Sequence, residues 1–104
     1  MSNLYQLRPS FPPSRLAALL AVDAERDRQD VQWPAPDGFN DALALAILVE
    51  EVGEVAQAQL MAAIDGGDTE HLREELVQVA AVAVRWLEHL DEQDAHGDTN
   101  AVRV

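Results

Sequence analysis

Residues 42–64 read ALALAILVEEVGEVAQAQLMAAI, and the fold turns on how this run is read. It holds no proline and one glycine, Gly53. Ala, Leu, Met, Glu and Gln are strong helix formers, and they dominate it. The run is too long for an ordinary strand and shows no two-residue alternation. It is therefore a helix. Asn40 or Asp41 stands where a cap belongs. The sequence Asp65-Gly66-Gly67-Asp68 ends the run with glycines able to take the left-handed C-cap conformation.

Working outward from this helix, Asp68 or Thr69 caps another one, with Glu70 placed in its first turn to suit the helix dipole. That helix is expected to run to about Leu90. Upstream, Ser14 follows Pro12 and Pro13 and is the expected N-cap of a first helix. Leu16, Leu19, Leu20 and Val22 begin its apolar stripe, and a charged stretch from Asp23 to Asp30 follows. It should end near Trp33, because Pro34, Pro36 and Gly38 break it. The chain divides into an extended arm, 1–13, a helical domain, 14–92, and a flexible polar tail, 93–104. The expected fold is all-α: a short N-terminal helix, a linker and a long helical hairpin. Leu76, Val77, Val79, Val82, Val84 and Leu87 leave the last helix apolar in nearly every direction. A helix that is apolar all round is buried all round. One hairpin and one short helix cannot bury it, so oligomerisation is expected to complete a four-helix-bundle-type core.

Composition narrows the function. The 104 residues make one domain with a modest core. The formal net charge of -12 argues against a nucleic-acid polymer, whose phosphates demand a basic surface. A single nucleotide is a different matter, since carboxylates hold Mg²⁺ and Mg²⁺ holds phosphates. The absence of cysteine removes disulfides and thiolate metal sites. No segment has signal-peptide character or the length to span a bilayer, so a cytoplasmic protein with no membrane partner is expected.

The carboxylates are the unusual feature. Glu51 and Glu54 are three apart and share a helix face. On the last helix Glu74 and Glu75 precede the apolar run, and Gln78 lies three beyond Glu75. Folding the hairpin at Gly66 and Gly67 brings Glu54 opposite Val79, next to Gln78. Glu75 then lies about 5 Å away along the axis. Glu51, Glu54, Glu75 and Gln78 can thus converge. Like charges gathered in a half-buried place need a counter-charge, and oxygen ligands point to Mg²⁺ or Mn²⁺. Taken singly, each of these residues reads as an ordinary exposed helix carboxylate.

The segments Ile47-Leu48-Val49-Glu50-Glu51-Val52-Gly53-Glu54-Val55-Ala56 and Leu72-Arg73-Glu74-Glu75-Leu76-Val77-Gln78-Val79 resemble the two acidic motifs of the MazG-like all-α nucleoside triphosphate pyrophosphatases. The likeness covers residues 40–90, with a weaker echo at Gln29-Asp30-Val31-Gln32-Trp33. It implies a homodimer or homotetramer that binds Mg²⁺ through E-x-x-E and E-x-x-D pairs and cleaves NTP to NMP and pyrophosphate. Carried over by position, the metal ligands are Glu51, Glu54 and Glu75. The last family position is Asp, and here it is Gln78, which supplies an oxygen but neither charge nor a base. The resemblance gives Glu50 or Glu54 the task of orienting the attacking water or taking its proton. The departure at Gln78 keeps a second outcome in view: a degenerate nucleotide- or metal-binding member, or a purely structural bundle.

Other residues carry weaker signals. Trp33 suits stacking on a base, or packing that seats the linker. Arg73 is nearest in sequence to the acidic cluster for holding phosphates, with Arg26, Arg28 and Arg85 as alternatives, and each reads equally as an ion-pair partner. Trp86 reads as core. His71 stands four before Glu75, a spacing for a metal pair or for an ordinary surface histidine. His89 and His96 show no partner in the sequence.

Overall fold

A computed structural model describes residues 11–34, 39–66 and 69–96. Three helices follow one another: α1 (Pro13–Gln32), α2 (Asp41–Asp65) and α3 (Thr69–His96). No strand occurs among the described residues, so the all-α expectation holds.

The helix ends show how local chemistry set the boundaries. α1 begins one residue before the expected cap. Pro13 presets φ and lacks an N–H that would have had no partner, so the helix starts there and Ser14 falls inside the first turn. The Leu16 amide closes the first turn on the Pro12 carbonyl at 3.0 Å. At the other end Trp33, at φ -131° and ψ 80°, has left the helical region, as the residue before a proline must. α1 covers nearly the stretch expected of it, 20 residues ending just before Trp33. Its charges support it along its length: Arg28 pairs with Glu25, and Arg26 with Asp30.

Asn40 caps α2, its Oδ1 accepting from the Leu43 amide at 2.9 Å. Gly66, at φ +82°, ends α2 in the left-handed conformation, where a side chain is strained. Thr69 lies inside α3 rather than capping it, and Asp68 lies outside the described residues. α3 runs past Leu90 to His96. Glu92 and Gln93 are adequate helix formers, and no breaker occurs before Gly97.

α3 is the central element, packing against both α1 and α2, which do not pack on each other. The buried apolar side chains of these two helices are small: Ala81 is 0 % exposed, Ala44 1 %, Ala58 4 % and Val82 9 %. Methyl groups at the crossing let the two backbones come close. α1 is fixed to α3 by a buried charge. Arg26 is almost enclosed, and its Nε and Nη2 donate to the two oxygens of Glu88 at 2.8 and 2.7 Å. Asp30 accepts a further bond at 3.0 Å. This two-pronged geometry is the strong form of the ion pair, and it holds the guanidinium pKa above its usual range.

Contacts on either side of the linker complete the assembly. Arg85 donates to the Trp33 carbonyl at 2.9 Å and lies over the Phe39 ring, while His89 meets the edge of the same ring. Trp86, expected in the core, is only half-buried; its indole N–H donates to Asp41 at 2.8 Å. Much large apolar surface stays open. Leu45, Val49, Val52 and Leu60 on α2, and Leu76 and Leu87 on α3, are each at least half exposed. No described helix is long and apolar enough to cross a membrane.

Candidate metal centre

Among the described residues, one group of ligand-type side chains converges. Glu51 and Glu54, from the α2 face that meets α3, and Glu75, from α3, each bring an oxygen within 4.8 Å of the others. The reason is local. The 3.6-residue period puts positions 51 and 54 on one side of α2, and the hairpin brings Glu75 to their level.

The electrostatics of the group are unfavourable as it stands. Glu51 is pushed up to about 7, first by burial and then by the charges of Glu54, Glu75 and Glu50. Glu75 is also pushed up, again by burial first and then by Glu54, while His71 opposes the shift. Glu51 Oε2 and Glu75 Oε2 are buried and accept no hydrogen bond. Buried carboxylate oxygens without donors are costly and rare. A hard divalent cation removes this cost, since it is oxygen-seeking and supplies the missing positive charge. The donor set therefore fits such an ion.

Two cavities flank the group. One, of about 550 Å³, is lined by Glu54, Gln57, Met61, His71 and Glu75 among others. The second, of about 530 Å³, lies between α1 and α2 over α3. Glu50, Glu51 and Gln78 form its acidic and amide end. Leu43, Ala44, Ile47 and Val82 give apolar walls, and Trp33, Phe39, Arg28 and Arg85 stand around them. Arg28 lies 5.6 Å from the centre of the Trp33 ring, a cation–π distance, with its other side held by Glu25.

The structure thus brings Glu51, Glu54 and Glu75 together. It sets Glu50, exposed, and Gln78, half-buried, on the adjoining cavity with Trp33 and Arg28. Arg73 is exposed and lines neither cavity. The sequence reading passed over Phe39. Its signal was position: an apolar residue just before the Asn40 cap is where a staple onto the new helix sits. No known protein family matches the chain, and no curated protein or solved structure is significantly similar to it.

Proposed function

We propose that this protein is a Mg²⁺-dependent nucleoside triphosphate pyrophosphohydrolase of MazG-like type, cleaving NTP to NMP and pyrophosphate. The observation that carries this reading is the meeting of Glu51, Glu54 and Glu75 beside a cavity walled by apolar and aromatic side chains. Metal-binding carboxylates adjoining a base-sized apolar recess are what a nucleotide requires.

In this reading Glu51, Glu54 and Glu75 hold the cation, with the Gln78 carbonyl oxygen as a neutral fourth donor. When bound, Mg²⁺ (or Mn²⁺) neutralises triphosphate oxygens and supports water attack at phosphorus. The base enters the cavity between α1 and α2, where Trp33 and Phe39 offer aromatic faces and Leu43, Ile47 and Val82 exclude water. Arg28 and Arg85 stand at that cavity and attract the phosphates. Glu50 or Glu54 orients the attacking water and accepts its proton. Arg73, remote from both cavities, has no part. Nucleotide-pool cleaning is the physiological role that fits such chemistry.

The same reading makes the protein a homo-oligomer. On α2, Leu45, Val49, Val52 and Ala56 recur at steps of four, three and four, and on α3 Leu76, Ala80, Ala83 and Leu87 do likewise. Such spacing forms a seam for another helix, and both seams lie away from the buried alanine contact. A second copy covers them and completes a helical bundle, as a dimer or, with both seams used, a tetramer.

The test is pyrophosphate release from canonical, deoxy and modified NTPs with Mg²⁺ or Mn²⁺, comparing the native chain with Glu54→Gln. Turnover is expected in the native chain and its loss in the variant; equal turnover in both rejects the assignment of Glu54. A second reading, a degenerate nucleotide binder or a plain structural bundle, is favoured by Gln78, which carries no charge. Binding of nucleotide and metal without pyrophosphate release selects the former. A stable oligomer that takes up no metal at millimolar concentration selects the latter.

A further inference from the structure

The two oxygens of Glu75 have different surroundings. Oε1 lies 3.8 Å from His71 Nε2, one helical turn earlier on α3. Oε2 is buried and accepts no hydrogen bond. The carboxylate is nearly enclosed, at 13 % exposure of its side chain, while His71 is 53 % exposed. His71 also faces Glu74, with Nδ1 3.9 Å from Oε2. It borders the cavity that Glu54 and Glu75 share. A gap of 3.8 Å is longer than a formed hydrogen bond.

We propose that His71 is a positioning residue for the metal centre: it anchors Glu75 Oε1, so that the unpartnered Oε2 is the oxygen presented to the cation. This deepens the metal-binding part of the proposed function and rests on it. The physical reason is orientation. A carboxylate on a long, flexible stem turns freely, and a cation gains most from one held in place. Groups that hydrogen-bond metal ligands commonly contribute ten- to a hundredfold in metal affinity.

The experiment is a Mn²⁺ titration of the full chain, followed by electron paramagnetic resonance and calorimetry, on the native protein, His71→Ala and His71→Gln. Gln places an N–H close to where imidazole Nε2 stood. His71→Ala is expected to lose ten- to a hundredfold in Mn²⁺ affinity. His71→Gln is expected to recover most of the loss. Equal affinity in native and Ala proteins overturns the proposal and leaves the carboxylate site standing. Loss in both variants also overturns it, because that outcome makes the imidazole itself a ligand. A native protein that takes up no Mn²⁺ at millimolar concentration overturns the metal reading and this proposal together.

Discussion

Replacing Glu51 by Gln should stabilise the metal-free protein at pH 8 and abolish its response to Mg²⁺. The native Glu51 carboxyl is pushed up to about 7 from an ordinary 4.5. A group whose folded pKa lies above its unfolded one favours folding below the unfolded value. It loses that contribution as pH rises through the folded value. At pH 8 the ionised carboxylate is therefore a burden, and near pH 4 it is not. At 1.36 kcal/mol per unit, the shift sets a ceiling of about 3 kcal/mol. Partial solvent access reduces it to about 1–2 kcal/mol. Gln stays neutral throughout, so the variant should gain this amount at pH 8 and almost nothing at pH 4. For a domain of this size each kcal/mol moves Tm by about 4–8 °C. Native protein in Mg²⁺ at ten times its Kd should recover about 1.4 kcal/mol through binding. The variant should recover little. Calorimetric melts at pH 4 and 8, with chelator or Mg²⁺ and at one protein concentration, measure all four quantities. A variant less stable than native at pH 8 in chelator, or one that gains equally from Mg²⁺, refutes the reasoning.

Three other outcomes follow from the same geometry. Gln78→Asp should tighten Mg²⁺ binding by about tenfold or more, since it adds a charged oxygen beside the cation, and should raise turnover; unchanged calorimetric affinity removes Gln78 from the ligand set. Glu88→Ala leaves the enclosed Arg26 with only Asp30 as an ionised partner. With Glu88 itself 45 % exposed, the cost should be about 2–3 kcal/mol in urea denaturation, below the range for fully buried pairs. Val52→Glu places a charge in the α2 seam at a position half open in the single chain; light scattering should show dissociation, with helicity preserved under dilute conditions.

The hairpin was legible because its signals are local. A proline-free run of strong helix formers, the Asn40 cap and the Gly66 stop each act within a few residues. The carboxylate group was legible for a related reason: once the turn is placed, equal distances from it predict which residues meet. The docking of α1 was not. Arg26 and Glu88 are 62 residues apart, and no periodicity marks such a pair. The cavity between α1 and α2 depends on where α1 lies across α3, so Trp33 and Arg28 could be named as candidates but not placed. The charged stretch of α1 holds its own Arg–Glu and Arg–Asp pairs over its last turns. The helix start was missed because proline geometry outweighed a serine cap.

The alanines at the crossing of α2 and α3 work as a spacer gauge. Ala44, Ala58 and Ala81 are buried on these two helices, so a larger side chain at any of them has no room without moving a backbone. Glu51 and Glu54 hang from α2 and Glu75 from α3. A single larger residue at any of the three positions is a wedge that spreads the carboxylates without touching them. The spacing of the carboxylates is thus written into residues that carry no chemistry of their own, and drift at these alanines would change it.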